Sequence, residues 1–281
     1  MNKSQIKSES QEKWRTFLDK INSEISRLQR KGCVTPFFRG HNDASWKLTP
    51  LIYRLYIYKL LNETISFDDV SKIENSLKTD FLSRCDQLYN KKLDPWETAF
   101  EMRHAGLPTR LLDWTENFAI ALYFALNDKS QSEPTKKPKN KCIWILNPNE
   151  LNEKSFGEES VLSTSEINFR NISDGGTFED FDDGELIEGP IAILPHRSHQ
   201  RIFAQQSVFT YHFDEIPIEK YCRTCVKKII IPNECTDQAE LFLFLAGVND
   251  FSLFPDLDGL GSYLRKKYSI ATNEEEFWKY P

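Results

Sequence analysis

Several things are missing from this chain, and each absence removes a class of protein. No apolar run approaches the ~20 residues of a membrane-spanning helix. The longest apolar stretches, Phe118–Leu126 and Leu241–Ala246, suit a buried core instead. The segment Met1–Lys13 is polar and charged and carries none of the apolar character of a secretory signal. A cytoplasmic location with no membrane partner is the expectation. There is no basic excess: 36 Lys and Arg stand against 42 Asp and Glu, a net charge of -6. Proteins that hold duplex nucleic acid by neutralising phosphates show the opposite balance, although a local basic cleft stays compatible with this one. Phosphate-loop, dinucleotide-turn, zinc-protease and serine-hydrolase motifs are all absent, which leaves those enzyme classes without direct support.

Cysteine is present but poorly patterned for metal. Of Cys33, Cys85, Cys142, Cys222, Cys225 and Cys235, only Cys222 and Cys225 form a CxxC pair. No second pair stands at zinc-ribbon spacing, and no His follows at finger spacing. All six are expected to be reduced and structural, and no metal is predicted.

What is present fits a globular fold. Hydrophobic residues make up 40% and charged residues 28% of 281 residues, enough for a sizeable core in one large or two small domains. Between Gln11 and Lys31, Trp14, Phe17, Leu18, Ile21, Ile25 and Leu28 recur at spacings of three and four, one face of a helix packed on the main body. Val34–Phe38 reads as a short strand. Ser66 and Asp69 resemble a capping box for a helix to about Leu88. Asp94-Pro95 with Glu97 opens another helix, which Gly106 and Pro108 close. Thr109–Trp114 reads as a strand, with Thr115 capping a core helix over 116–126. Cys142–Leu146, Ile191–Leu194, Ser207–Phe213 and Val226–Ile231 are further strands. Helices are expected over Thr236–Leu245 and Pro255–Lys267. Strands and helices do not alternate regularly, so an α+β fold with a mixed or mainly antiparallel sheet flanked by helices is predicted. The expected organisation is an N-terminal amphipathic helix over 1–31, a single domain over 32–270 and a tail over 271–281. That domain would carry a polar loop at 128–141 and a solvated acidic insertion at 152–188.

Four strings are unusual for packing alone. The first is Phe37-Phe38-Arg39-Gly40-His41, followed by Trp46-Lys47-Leu48-Thr49-Pro50 and Arg54. The second runs from His104-Ala105-Gly106-Leu107-Pro108-Thr109-Arg110 through Leu111-Leu112-Asp113-Trp114-Thr115-Glu116-Asn117 to Ala121-Leu122-Tyr123-Phe124-Ala125. The third is Arg201-Ile202-Phe203-Ala204-Gln205-Gln206-Ser207-Val208-Phe209-Thr210. The fourth is Leu253-Phe254-Pro255-Asp256-Leu257-Asp258-Gly259-Leu260. Together they resemble the FRG domain family, named for its Phe-Arg-Gly motif, over roughly Thr35 to Leu264. This chain departs from the family in having Arg103 where Gln is common and Ser207 where Gly is common.

On chemistry alone, Arg39 offers a planar fork to a phosphate, and Gly40 beside it lets a ligand approach the backbone. Thr115 offers a hydroxyl near a helix start, and Gln205 can orient a ribose or an amide. The order of Arg39 on an early strand, Thr115 in the middle and Gln205 before a late strand is similar to the ADP-ribosyltransferase active-site arrangement. That resemblance implies a fold of that type with NAD as co-substrate, and Arg39, Thr115, Gln205 and Asp113 as catalytic residues. Arg39 with Gly40, His104, Thr109, Arg110, Trp114 and Tyr123 would then bind the cofactor. Gln205 stands where a Glu is usual, so a charge that stabilises an oxocarbenium-like transition state must come from elsewhere, such as Asp113 or Glu101. The implied protein is a bacterial toxin or anti-phage effector acting on a protein or nucleic acid, restrained by a neutralising antitoxin. Alternatives are a non-catalytic module binding a nucleotide, RNA or peptide, and a nuclease using His104 and Asp113. Structural roles compete throughout: Arg39 or Arg110 paired with Asp113, His104 as a core histidine, and Trp114 and Tyr123 as core aromatics. The basic run His196, Arg197, His199 and Arg201 can bind phosphate or pair with the acidic segment before it.

Overall fold

The computed structural model describes residues 3–54, 67–85, 92–127, 139–165, 189–196 and 199–271. Helix α1, Lys3–Arg30, buries Phe17, Ile21 and Leu28 in the main core. Strand β1 is Phe37–His41, followed by a 3-10 turn at Leu51–Arg54 and helix α2, Phe67–Cys85. Ser66 lies outside the described residues. Helix α3, Pro95–His104, opens on the capping box expected of it: Asp94 accepts from the Glu97 N–H, and the Glu97 carboxylate accepts from the Asp94 N–H. Gly106 follows it at φ +82, the left-handed turn that a residue without Cβ takes at little cost.

Strand β2, Leu111–Thr115, leads into α4, Phe118–Leu126. Asn117, not Thr115, caps α4, its side chain accepting from the Ala119 N–H. Thr115 is the last strand residue, and its hydroxyl is bonded elsewhere. Then follow β3 (Lys141–Leu146), α5 (Pro148–Phe156), β4 (Leu162–Ser163), β5 (Ile191–Leu194) and the short α6 (Gln200–Ala204). The chain continues with β6 (Ser207–Tyr211), α7 (Ile218–Tyr221), β7 (Val226–Ile231), α8 (Thr236–Leu245), α9 (Asp250–Leu253) and α10 (Leu257–Ala271).

Among the described residues, seven strands form one mixed sheet in the order β4-β5-β6-β2-β1-β3-β7, flanked by helices. Every neighbour pair is antiparallel except β4–β5. The pairing is uneven. β1 runs in register along β3 from Phe37–Leu146 to His41–Cys142, and β2 along β6 from Leu111–Tyr211 to Thr115–Ser207. Between β1 and β2 there is a single pair, Phe38 opposite Thr115. The sheet is therefore two well-zipped halves that part at their seam.

Helix α4 lies on the β1 half and contributes Ala119, Ile120, Ala121, Leu122 and Ala125 to the core shared with α1, α8 and Phe38. Gly40 makes that contact possible. A Cβ at residue 40 would stand 1.9 Å from the Ala121 carbonyl oxygen and 2.6 Å from the Ala125 nitrogen. The side of Gly40 where a Cβ would stand is thus taken by a helix backbone.

Two expectations need correction. The segment from Asn152 to Ser165 is not a solvated insertion. Asn152 is fully buried, donating to the Ala192 and Ser160 carbonyls and accepting from the Ala192 N–H, which stitches α5 to β5. Residues 166–188, with most of the acidic patch, lie outside the described residues, as does most of the 128–141 loop. The cysteines are not all reduced: Cys222 and Cys225 form a disulfide, because the turn that ends α7 brings their Cα atoms to 5.5 Å. Among the described residues, no helix is long and apolar enough to cross a membrane.

Replacing Gly40 with Ala must push α4 off β1. We expect a loss of about 3 kcal/mol, the upper end of what overpacking a core usually costs. Differential scanning calorimetry should show a fall in Tm of roughly 6–12 °C.

Candidate functional site

A cleft of about 280 Å³ opens where β1 and β2 part. Arg39 extends from β1 to this gap. Its Nη1 donates to the Asp113 main-chain carbonyl, its Nε donates to His41 Nε2 at 2.9 Å, and the Asp113 carboxylate lies 3.6 Å away. From the end of α3, Arg103 grips the same carboxylate oxygen through Nε at 2.9 Å and Nη2 at 2.5 Å. Burial alone would raise the Asp113 pKa, but Arg103 and Arg39 outweigh it and hold the carboxyl below its usual range. Burial draws the Arg39 guanidinium down to about 10, so it remains charged at neutral pH.

Thr115 and Gln205 meet on the other side of the cleft. The Thr115 hydroxyl donates to the Gln205 main-chain carbonyl at 2.8 Å and accepts from the Asn117 N–H at 3.1 Å. Gln205 caps the end of α6, and its side-chain amide donates to the Leu253 carbonyl at 3.1 Å. Gln206 follows at φ +44, a sharp turn that starts β6 opposite Thr115.

His104, the last residue of α3, also lines the cleft. Burial lowers its pKa to about 4, so the ring is neutral at physiological pH. Its Nδ1 is buried without a hydrogen-bond partner among the described residues. Trp114 borders the cleft, but its ring packs with Leu112, Trp144 and Val208, and its N–H donates to Thr210 Oγ1.

Of the sequence-derived candidates, Arg39, Gly40, His104, Asp113, Trp114, Thr115 and Gln205 border this one cavity. Thr109, Arg110 and Tyr123 do not. Arg110 is buried with Nε 2.7 Å from Glu74 and Nη2 donating to Ser71, so it ties α2 to the sheet and does not bridge to Asp113. Thr109 is buried and accepts from the Leu111 N–H. Tyr123 donates to Asp250 on α9. Sequence reasoning missed Arg103 as the main partner of Asp113, although the departure from the common Gln was a signal. It also missed the aromatic walls formed by Phe38, Trp46, Phe124 and Phe254. Arg201 reaches the cleft too, donating to the His104 carbonyl at 3.1 Å and Asp256 at 2.9 Å, 5.0 Å above the Phe254 ring.

Behind His104, donor atoms of Glu101, His104 and His199 lie within 4.8 Å of one another. His199 Nδ1 accepts from the Arg201 N–H as the cap of α6, which leaves the ring proton on Nε2, 3.5 Å from Glu101. A metal on Nε2 would move the ring proton to Nδ1 and cost α6 its cap.

Residues 35–134 match the family model of the FRG domain. The match spans β1 through α4 and therefore the Arg39, Arg103, His104, Asp113 and Thr115 part of the cleft, while Gln205 and Arg201 lie beyond it. No curated protein matches the chain. No solved structure matches it either.

Three histidines in and under the cleft are neutral when folded. Burial takes His41 to about 2, His212 to about 3 and His104 to about 4. In the unfolded chain each titrates near 6.5, so unfolding takes up protons below that pH. Their contribution to stability is whole above pH 6.5 and is lost as pH falls toward the folded values. Each contributes up to about 1.4 kcal/mol per pH unit in that window. Urea unfolding between pH 6 and 5 should show the proton uptake of His212→Gln reduced by about one relative to the parent chain.

Proposed function

We propose that the cleft binds NAD and that the protein transfers ADP-ribose from it to an acceptor. One observation carries this reading: Arg39 from β1, Thr115 at the end of β2 and Gln205 at the entry to β6 surround one cleft at the seam of the sheet. They stand in the order that the resemblance to ADP-ribosyltransferases implies.

The electrostatics support it. Among the described residues, Arg39, Arg103 and Arg201 stand against Asp113 in the cleft and Asp256 beside it, so the site keeps a positive surplus suited to a diphosphate. Aromatic rings at Phe38, Phe124 and Phe254 suit the flat face of nicotinamide. At about 280 Å³ the cleft holds the nicotinamide-ribose end. A further cavity of about 380 Å³ shares His104 and Arg201 with it and offers room for the adenosine end.

In the transfer, the glycosidic C–N bond breaks and nicotinamide leaves with the electron pair. The acceptor's oxygen or nitrogen attacks the anomeric carbon, and its proton passes to the neutral His104 ring. Gln205 has its amide nitrogen committed to Leu253, so its oxygen accepts from a ribose hydroxyl and orients the sugar. It supplies no charge, and the charge on Asp113 is shared by two arginines. Positioning therefore does most of the catalysis. In a cell, such an enzyme would act as a toxin or anti-phage effector held in check by an antitoxin. The committed state of Asp113 and the Gln at 205 favour a second reading, a nucleotide-binding module without turnover.

Incubation with labelled NAD and cell lysate decides between them. We expect label transfer and nicotinamide release, a loss of about 100-fold or more in Arg39→Ala, and a gain of about tenfold in Gln205→Glu. Thermal stabilisation by NAD with no release from either parent or Gln205→Glu would leave the binding module. Neither release nor stabilisation would overturn both.

A further inference from the structure

A second cavity of about 620 Å³ adjoins the cleft and shares Trp46 with it. Two stretches build its walls, Ser45–Arg54 after β1 and Glu215–Lys220 leading into α7. Among the described residues, three exposed cations, Lys47, Arg54 and Lys220, line it against one lining carboxylate, Glu215. None of the three lies within 4.0 Å of a carboxylate among the described residues, whereas Lys13, Lys31, Lys139 and Lys266 each do. On a chain with a net charge of -6, Lys47 and Lys220 facing one hollow, with Arg54 beside them drawn in part toward Asp113, point to an anionic ligand.

The aromatic content narrows the ligand. Trp46 is 43% exposed, and its ring is steadied by the edge of His41 at 5.9 Å and by the Lys139 ammonium at 5.8 Å. Tyr53 lines the same hollow, with its hydroxyl directed to the His212 carbonyl at 3.4 Å. The exposed Trp46 ring beside Lys47 and Lys220 is what a stacked base and its phosphates require. A duplex keeps its bases within its own stack and offers no free face to Trp46.

We propose that this cavity holds a nucleotide of a single-stranded nucleic acid, bound by Lys47, Arg54 and Lys220 at the phosphates and by Trp46 and Tyr53 at the base. Because Trp46 is common to both cavities, the bound strand lies next to the cleft and becomes the acceptor for the transfer. Only that last role rests on the reading of the cleft as an NAD site.

Fluorescence anisotropy of a labelled 12-nucleotide single strand, as RNA and as DNA, tests the proposal on the full chain. We expect Lys47→Ala/Lys220→Ala to weaken binding about tenfold at low salt and to flatten the salt dependence by one to two phosphates. Trp46→Ala should weaken binding about tenfold, the size of one lost stacking contact. A duplex of the same sequence, AMP and an acidic peptide should each bind at least about tenfold more weakly. The proposal falls if no single strand binds, if the lysine variant binds like the parent, or if duplex, AMP or acidic peptide binds as well as the strand. Both lysines are exposed, so their loss should leave Tm unchanged. Stabilisation by NAD, measured on the same lysine variant, separates the two ideas. If strand binding fails and NAD still stabilises, the cavity assignment is wrong and the cleft reading stands. If the strand binds and NAD does nothing, the reverse holds.

Discussion

The approach of α4 to β1 is the constraint on which the rest depends. A helix can lie with its backbone against a strand only where the strand has no side chain in the way, and Gly40 supplies that absence opposite Ala121 and Ala125. With α4 seated there, β1 is held on one face by the helix and along one edge by β3. It is not free to slide and zip onto β2. The seam stays open after the Phe38–Thr115 pair, and the polar residues that follow on both strands border a cavity in place of a ladder. The opening in the sheet thus lies where core packing holds β1 and where the Arg39 side chain, bonded to the Asp113 carbonyl, crosses the seam.

Those polar residues solve a different problem. Two guanidiniums brought near a dry core need a counter-charge, and Asp113 serves both. The result is rigid: Arg39 is fixed by His41, by the Asp113 carbonyl and by the Asp113 carboxylate, and so presents one orientation to any ligand. Breaking one member of such a set leaves a buried charge without its partner, which costs far more than the intact set contributes to stability. The neutral histidines belong to the same economy, since a charged imidazole beside Arg39 and Arg54 would add repulsion to desolvation.

Local signals in the sequence reached far into this structure. The Asp94-Pro95-x-Glu97 start and Gly106 stop of α3, the strand Val226–Ile231 and the helix Thr236–Leu245 all stand where their residues imply. The grouping of Arg39, Asp113, Thr115 and Gln205 around one cavity was legible because Arg39, Asp113 and Thr115 lie on strands, and Gln205 just before one, that the run of residues marks. What escaped depends on contacts between elements far apart in the chain. Arg110 looked like a partner for Asp113 three residues away, yet it turns to Glu74 on α2. Asn152 looked like surface polarity until β5 took both ends of its amide. The cap of α4 fell to Asn117 because Thr115 was already committed to Gln205, ninety residues on. The disulfide escaped because spacing alone cannot say which way two thiols point.

Helix α1 has a consequence for how the chain is made. Its apolar stripe is covered by Ile229, Ile231, Ala239 and Leu243, and Ser10 and Lys13 are bonded to Gln238 and Glu234. Helix α1 therefore finds its seat only when residues some two hundred positions later have emerged. At usual rates of synthesis, that is a wait on the order of ten to forty seconds. For that interval Trp14, Phe17 and Ile21 lie on an amphipathic helix with nothing to cover them. The packing of α1 into the core thus completes only after β7 and α8 have been made.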